Sequence, residues 1–216
     1  MQDTDLIQLW KSYDKKLEEN LAINRQNTFE ITKLKLKSHL LSMKPLKMFT
    51  IVLGILWVVF LDSLIVVLFH FASPFLLISA GLVSLLNKLA IGIYIYQMAL
   101  ISEVNIDAPV ISTQDKLARL KSSTIWIARI LFLQIPFWTI FYWNSQMFEN
   151  GNAILWTLQI LITISGTYLA LWLFFNIKYE NKDKSWFKLL FSGAGWNPVA
   201  ESIKLLEEVE DFKDER

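Results

Sequence analysis

AILWTLQILITISGTYLALWLFFNI, residues 153–177, runs for 25 residues without a charged side chain. About 20 apolar residues, each rising about 1.5 Å along a helix, cross a hydrocarbon layer of about 30 Å. The stretch therefore predicts a transmembrane helix. Upstream, TIWIARILFLQIPFWTIFYW (124–143) reads the same way, with Arg129 near its start and Pro136 predicting a kink where Gln134 serves a freed backbone group. FLLISAGLVSLLNKLAIGIYIYQMALI (75–101) follows Pro74, a residue suited to a helix start, and is long enough to span and tilt. MFTIVLGILWVVFLDSLIVVLF (48–69) has one charge in 22 residues.

Composition agrees with a chain built around these four runs. Of 216 residues 54% are hydrophobic, with nine Trp and fifteen Phe, and the mean hydropathy is +0.38. A soluble domain rarely needs that much apolar surface. The 21 basic and 20 acidic residues nearly cancel, so overall charge points to no class of partner. With no Cys, disulfides, thiolate metal sites and cysteine nucleophiles are excluded together. The first apolar run follows a long polar segment, so no cleaved secretory signal is expected.

Charge distribution sets the expected orientation. Lys33, Lys35, Lys37, Lys44 and Lys47 precede the first span, Lys116, Arg119 and Lys121 lie between the second and third, and Lys178, Lys182, Lys184 and Lys188 follow the fourth. HFASP (70–74) and NSQMFENGN (144–152) contain no Lys or Arg. By the positive-inside rule both termini are expected in the cytoplasm. Trp138, Trp143 and Trp156 then mark the outer interface, and Trp126, Trp172 and Trp186 the inner one.

The ends carry helical patterns of their own. Leu6, Trp10, Tyr13 and Leu17 form a seam that Ile31, Leu34 and Leu41 continue, interrupted by Asn20, Asn24 and Asn27. One buried Asn can set coiled-coil register, but three in succession weaken a self-sufficient coil. The seam reads as an amphipathic helix packed on its own protein or the membrane, with dimerisation as the alternative. Ser112 and Asp115 resemble a capping box opening a helix into the third span. KSWFKLLFSGAGWNP (184–198) predicts a short interfacial helix and a break. Asn197 and Pro198 then open a net acidic helix bearing Val199, Ile203, Leu206 and Val209, expected to pack near the basic N-terminal segment.

An ionisable group at membrane depth is costly and so a functional candidate. Asp62, Lys88 and Arg129 qualify. Asp62 falls roughly 12 Å and Lys88 roughly 21 Å below the outer boundary, an offset that a Lys stem narrows, so the two can pair. Lys88 and Arg129 can instead snorkel to the inner interface. Ala80, Ser84 and Asn87 share one face, as do Gln159, Thr163, Gly166 and Ala170, a pattern that favours close packing and interhelical hydrogen bonds over a solute path. Lys33, Lys37, Lys44 and Lys47 share a face suited to anchoring on anionic lipid. His39 and His70 fall on opposite sides of the first span, and no HExxH, paired-carboxylate or phosphate-loop pattern occurs. No catalytic residue, metal site or cofactor is expected, and nucleic-acid binding is disfavoured.

In LIQLWKSYDKKLEENL (6–21) and ARILFLQIPFWTIFYW (128–143) the chain resembles a group of uncharacterised multi-pass membrane proteins of Bacteroidota, some of them associated with neighbouring sigma-factor genes. The resemblance implies a bacterial inner membrane and a regulatory role like that of membrane-bound anti-sigma factors. It implies no site residues.

The expectation is an all-α protein with a four-helix transmembrane bundle (48–177) between amphipathic cytoplasmic segments 1–47 and 178–216. It is a non-enzymatic interaction or regulatory protein of the inner membrane, acting through its cytoplasmic helices. The alternative is a small transporter or channel subunit. Expected partners are the lipid bilayer, a cytoplasmic protein and further copies of the chain.

Overall fold

The computed structural model describes residues 3–103, 110–150, 152–191, 201, 202, 204 and 205. Among these no strand occurs. α-Helices run in the order α1 (Asp3–Leu68), α2 (Pro74–Ser102), α3 (Val110–Phe132), α4 (Ile135–Ile140), α5 (Ser145–Asn150), α6 (Ala153–Asn176) and α7 (Ser185–Phe191), and residues 201, 202, 204 and 205 are helical too. Among the described residues four helical stretches are long and apolar enough to cross a membrane, within α1, α2, α3 with α4, and α6. Helices pack in sequence: α1 on α2, α2 on α3 and α4, and these on α6.

The first span and the segment before it are one helix of 66 residues, about 100 Å long at about 1.5 Å per residue. Pro45 lies inside it on the exposed face. The Leu41 carbonyl that Pro45 cannot bond therefore points away from the packed side. Thr32, Leu36, Leu40, Met43 and Lys47 recur at three- and four-residue intervals as the buried face. The seam drawn from the sequence lies elsewhere: Trp10, Tyr13 and Leu17 are 75%, 66% and 58% exposed, and Ile31, Leu34 and Leu41 are exposed too. It does not pack on its own protein, because no residue from 7 to 31 is buried.

Ser73 caps α2, its hydroxyl accepting from Leu76 N at 3.2 Å, and Pro74 takes the first helical position. At Gly54 a Cβ would lie 3.1 Å from Ile91 Cγ1, so the glycine lets α1 and α2 approach closely. The expected kink is a break. Helix α3 stops at Phe132, Gln134 N reaches back to Leu131 O at 3.3 Å, and α4 restarts at Ile135 with Pro136 in its first turn. Pro136 has no N–H for the Phe132 carbonyl, which ends the ladder there. At its other end α3 is already helical at Val110, so Ser112 lies inside the helix and is not its cap.

Asn144 and Asn152 cap α5 and α6 by accepting from Met147 N and Ile154 N, each at 2.9 Å. Around them Phe75, Trp143, Phe148 and Trp156 form an aromatic cluster, with Phe148 and Trp156 at 4.8 Å. At the opposite end the Trp172 and Trp186 rings meet at a tilt of 60°, 5.0 Å apart.

Two apolar cores lie toward that opposite end. In one, Leu36, Leu40 and Met43 meet Leu100, Ile101, Leu117 and Leu120, with Leu205 packed against them. Here α1 and α3, extending past their apolar runs, pack on the last turns of α2, so residues 36–43 share a core with the spans. In the other, Phe187 and Phe191 of α7 close over Ile125, Leu173 and Ile177. Glu201 Oε2 lies 3.4 Å from His39 Nδ1. The remainder of the predicted acidic helix, with Asn197, Pro198, Val199, Ile203, Leu206 and Val209, lies outside the described residues.

Candidate functional site

Polar side chains join the helices at several depths. On the seam between α1 and α2, Lys88 Nζ lies 2.8 Å from Asp62 Oδ2, and Ser84 Oγ donates to Asp62 Oδ1 at 2.5 Å. The Lys stem closes the axial offset read from the sequence. The pair does not point into the bundle: the Lys88 and Asp62 side chains are 51% and 43% exposed. It sits on the flank that lipid would cover, where each charge stabilises the other against hydrocarbon.

One turn along α2, Asn87 Nδ2 donates to Val83 O at 2.8 Å and to Gln134 Oε1 at 3.3 Å. Gln134 thus uses its carbonyl on another helix and does not serve the backbone freed by Pro136. Gln159 Nε2 donates to Thr139 O at 2.5 Å, joining α6 to α4. Gly166 lets the same two helices close, since a Cβ there would meet Ile135 and Thr139 at 3.3 and 3.4 Å. Arg129 Nε donates to Ile177 O at 2.8 Å, while its guanidinium lies 5.3 Å from the Trp126 ring. A cation is favourable against the free carbonyls at the end of α6. Asn87, Gln134, Gln159 and Arg129 thus tie helices together through polar contacts.

The four lysines read as a lipid anchor part ways. Lys37 is exposed and Lys44 half-buried. Lys33 lies 4.6 Å over the Phe29 ring and 3.8 Å from Glu30. Lys47, only 4% exposed, is no surface residue. It shares the buried face of α1 with Leu36, Leu40 and Met43, which turns it onto α2.

There the Lys47 ammonium donates to Gln97 Oε1 and lies 5.3 Å from the centre of the Tyr94 ring. Gln97 is fully buried. Its amide nitrogen donates to Ser123 Oγ at 2.9 Å and to Thr124 Oγ1 at 3.1 Å. Both hydroxyls are turned to receive it because each donates to Leu120 O, at 2.9 and 2.8 Å. With its nitrogen so held, the Gln97 oxygen must face the ammonium. Among the described residues no carboxylate lies within ion-pair distance of Lys47. A cavity of about 280 Å³ adjoins, walled by Lys47, Tyr94, Gln97 and Thr124 on one side and by apolar residues of α3 and α7 on the other.

Sequence reading missed Tyr94, Gln97, Ser123 and Thr124. A signal was present: extending the Ala80, Ser84, Asn87 face at helical spacing leads to Ala90, Tyr94 and Gln97. Among the described residues no group of His, Asp and Glu could hold a metal ion. No family model, curated protein or solved structure matches the chain.

Proposed function

We propose that the chain is a multi-pass inner-membrane protein, both termini cytoplasmic, that works without catalysis as an interaction or regulatory protein. It presents the first half of α1 to a cytoplasmic protein. The observation that carries this reading is the bare arm of residues 7–31, whose Trp10, Tyr13 and Leu17 are all more than half exposed. At about 1.5 Å per residue the arm extends about 37 Å beyond the packed part of the helix.

Its charge argues for protein over lipid. Lys11, Lys15, Lys16 and Arg25 are balanced by Asp14, Glu18, Glu19 and Glu30. A helix that lies on anionic lipid carries an excess of Lys and Arg on its polar face. The seam argues for a different chain over a second copy, because self-pairing sets Asn20, Asn24 and Asn27 against themselves, whereas another protein can offer polar groups opposite them. Aromatic anchors such as Trp10 and Tyr13 are the residue types that dominate docking energy.

Photo-crosslinking residues placed singly at Tyr13 and Leu17, in intact membranes, test this. The expected result is one and the same protein adduct from both positions, lost when Trp10→Glu is added while the thermal midpoint of the bundle stays unchanged. Adducts to lipid alone, or adducts at twice the 25.2 kDa of the chain, would overturn it.

A further inference from the structure

The cavity beside Lys47 combines three features that no packing role requires. The first is a cation with no carboxylate in reach among the described residues. An ammonium has three donors, Gln97 takes one, and burying such a charge is costly without an anion to meet it. The second is fixed geometry, since Ser123 and Thr124 hold Gln97 from behind and thereby hold Lys47 at the cavity wall. The third is an apolar way in. Leu131 and Leu190 line the cavity and are 39% and 40% exposed, so its rim is greasy and open.

Depth adds to this. Lys47 immediately precedes the first apolar run and Thr124 opens the third, so the ammonium lies at the level where headgroups give way to hydrocarbon. The volume of about 280 Å³ is near the lower end of small-molecule sites, which begin at about 300 Å³. It suits one headgroup and the first part of a chain. We propose that the cavity between α2, α3 and α7 binds an anionic amphiphile, its carboxylate or phosphate on Lys47 Nζ and its alkyl chain leaving between Leu131 and Leu190 into the bilayer. This site lies apart from the arm of residues 7–31 and does not depend on what the arm docks.

The full chain, purified in a neutral detergent, is titrated with decanoate, with dihexanoyl phosphatidic acid and with decanol. Decanol has the alkyl chain of decanoate without its charge. At least one anionic probe is expected to bind about tenfold or more tighter than decanol, the usual difference for a hydrogen bond to a charged group. Preference for decanoate assigns a fatty carboxylate, and preference for phosphatidic acid a lipid headgroup. Lys47→Met preserves length and removes the buried charge, which offsets the loss of the hydrogen bond to Gln97, and is expected to fold yet to lose that preference. Ala128→Phe fills the cavity with Lys47 in place and is expected to abolish binding of all three probes. Equal binding of decanol and both anions, no binding of either anion, or an anion preference that survives Lys47→Met in a folded protein overturns the proposal.

Discussion

Asp62 and Lys88 show what a charge does in an apolar surrounding when its partner is one helix away. Their contact of 2.8 Å replaces water that the bilayer does not supply, and removing either member strands the other. Asp62→Leu and Lys88→Leu are each expected to lower the thermal midpoint in lipid nanodiscs. The double variant should lose clearly less than the two losses added, because it strands nothing. Strict additivity would mean that the pair is not formed. Asp62→Asn should fall between wild type and Asp62→Leu, since the amide oxygen still accepts from Ser84. The sequence left the pairing open beside a snorkelling Lys88, and the 2.8 Å contact decides for the pair. The burial of Lys47 was not legible, because a lysine just before an apolar run has the signature of a surface anchor. The residues that enclose it, Gln97 and Thr124, lie on other helices; periodicity carries the polar face of α2 on to Gln97, but it does not tell that Lys47 meets it.

At the scale of elements, the apolar runs were legible because hydrocarbon tolerates so few charges, and Pro136 marked the place of a kink in the third, though not that the helix stops and restarts there. The union of the first span with the segment before it was harder to see. Hydropathy changes sharply at Met48, yet both parts have helical periodicity, and the backbone continues through Pro45. Helix contacts made by small residues yield a sharper expectation. Gly166 brings α6 against α4, where a Cβ would already stand 3.3 Å from Ile135 Cγ2. Gly166→Ala should cost little once Ile135 adjusts. Gly166→Leu, which must displace both Ile135 and Thr139, should cost about 1–3 kcal/mol as overpacking. Reversible unfolding in mixed micelles measures the difference, and equal stability of the Ala and Leu variants would contradict the contact.

For the whole molecule, a crossing by each of the four apolar helices would place both ends on the same side of the membrane, and the lysine distribution predicts that side to be the cytoplasm. Alkaline phosphatase fused at Gln146 should be active and at Arg216 inactive, with a fluorescent protein giving the reverse; an active phosphatase at Arg216 would reject that orientation. The two apolar cores also impose an order in time. Leu36, Leu40, Leu117 and Leu120 can meet once the first part of the chain has been made, but Leu205, which packs against them, comes last. At about 5–20 residues per second, roughly 4–17 s of synthesis separate Leu120 from Leu205. Phe187 and Phe191 arrive similarly late to close over Ile125 and Leu173. During biogenesis the protein therefore passes through a state whose helices are inserted and whose two cores are open. A chain ended after Lys184 would stay in that state, and pulse-chase labelling should show it cleared by membrane proteases several times faster than the full-length protein.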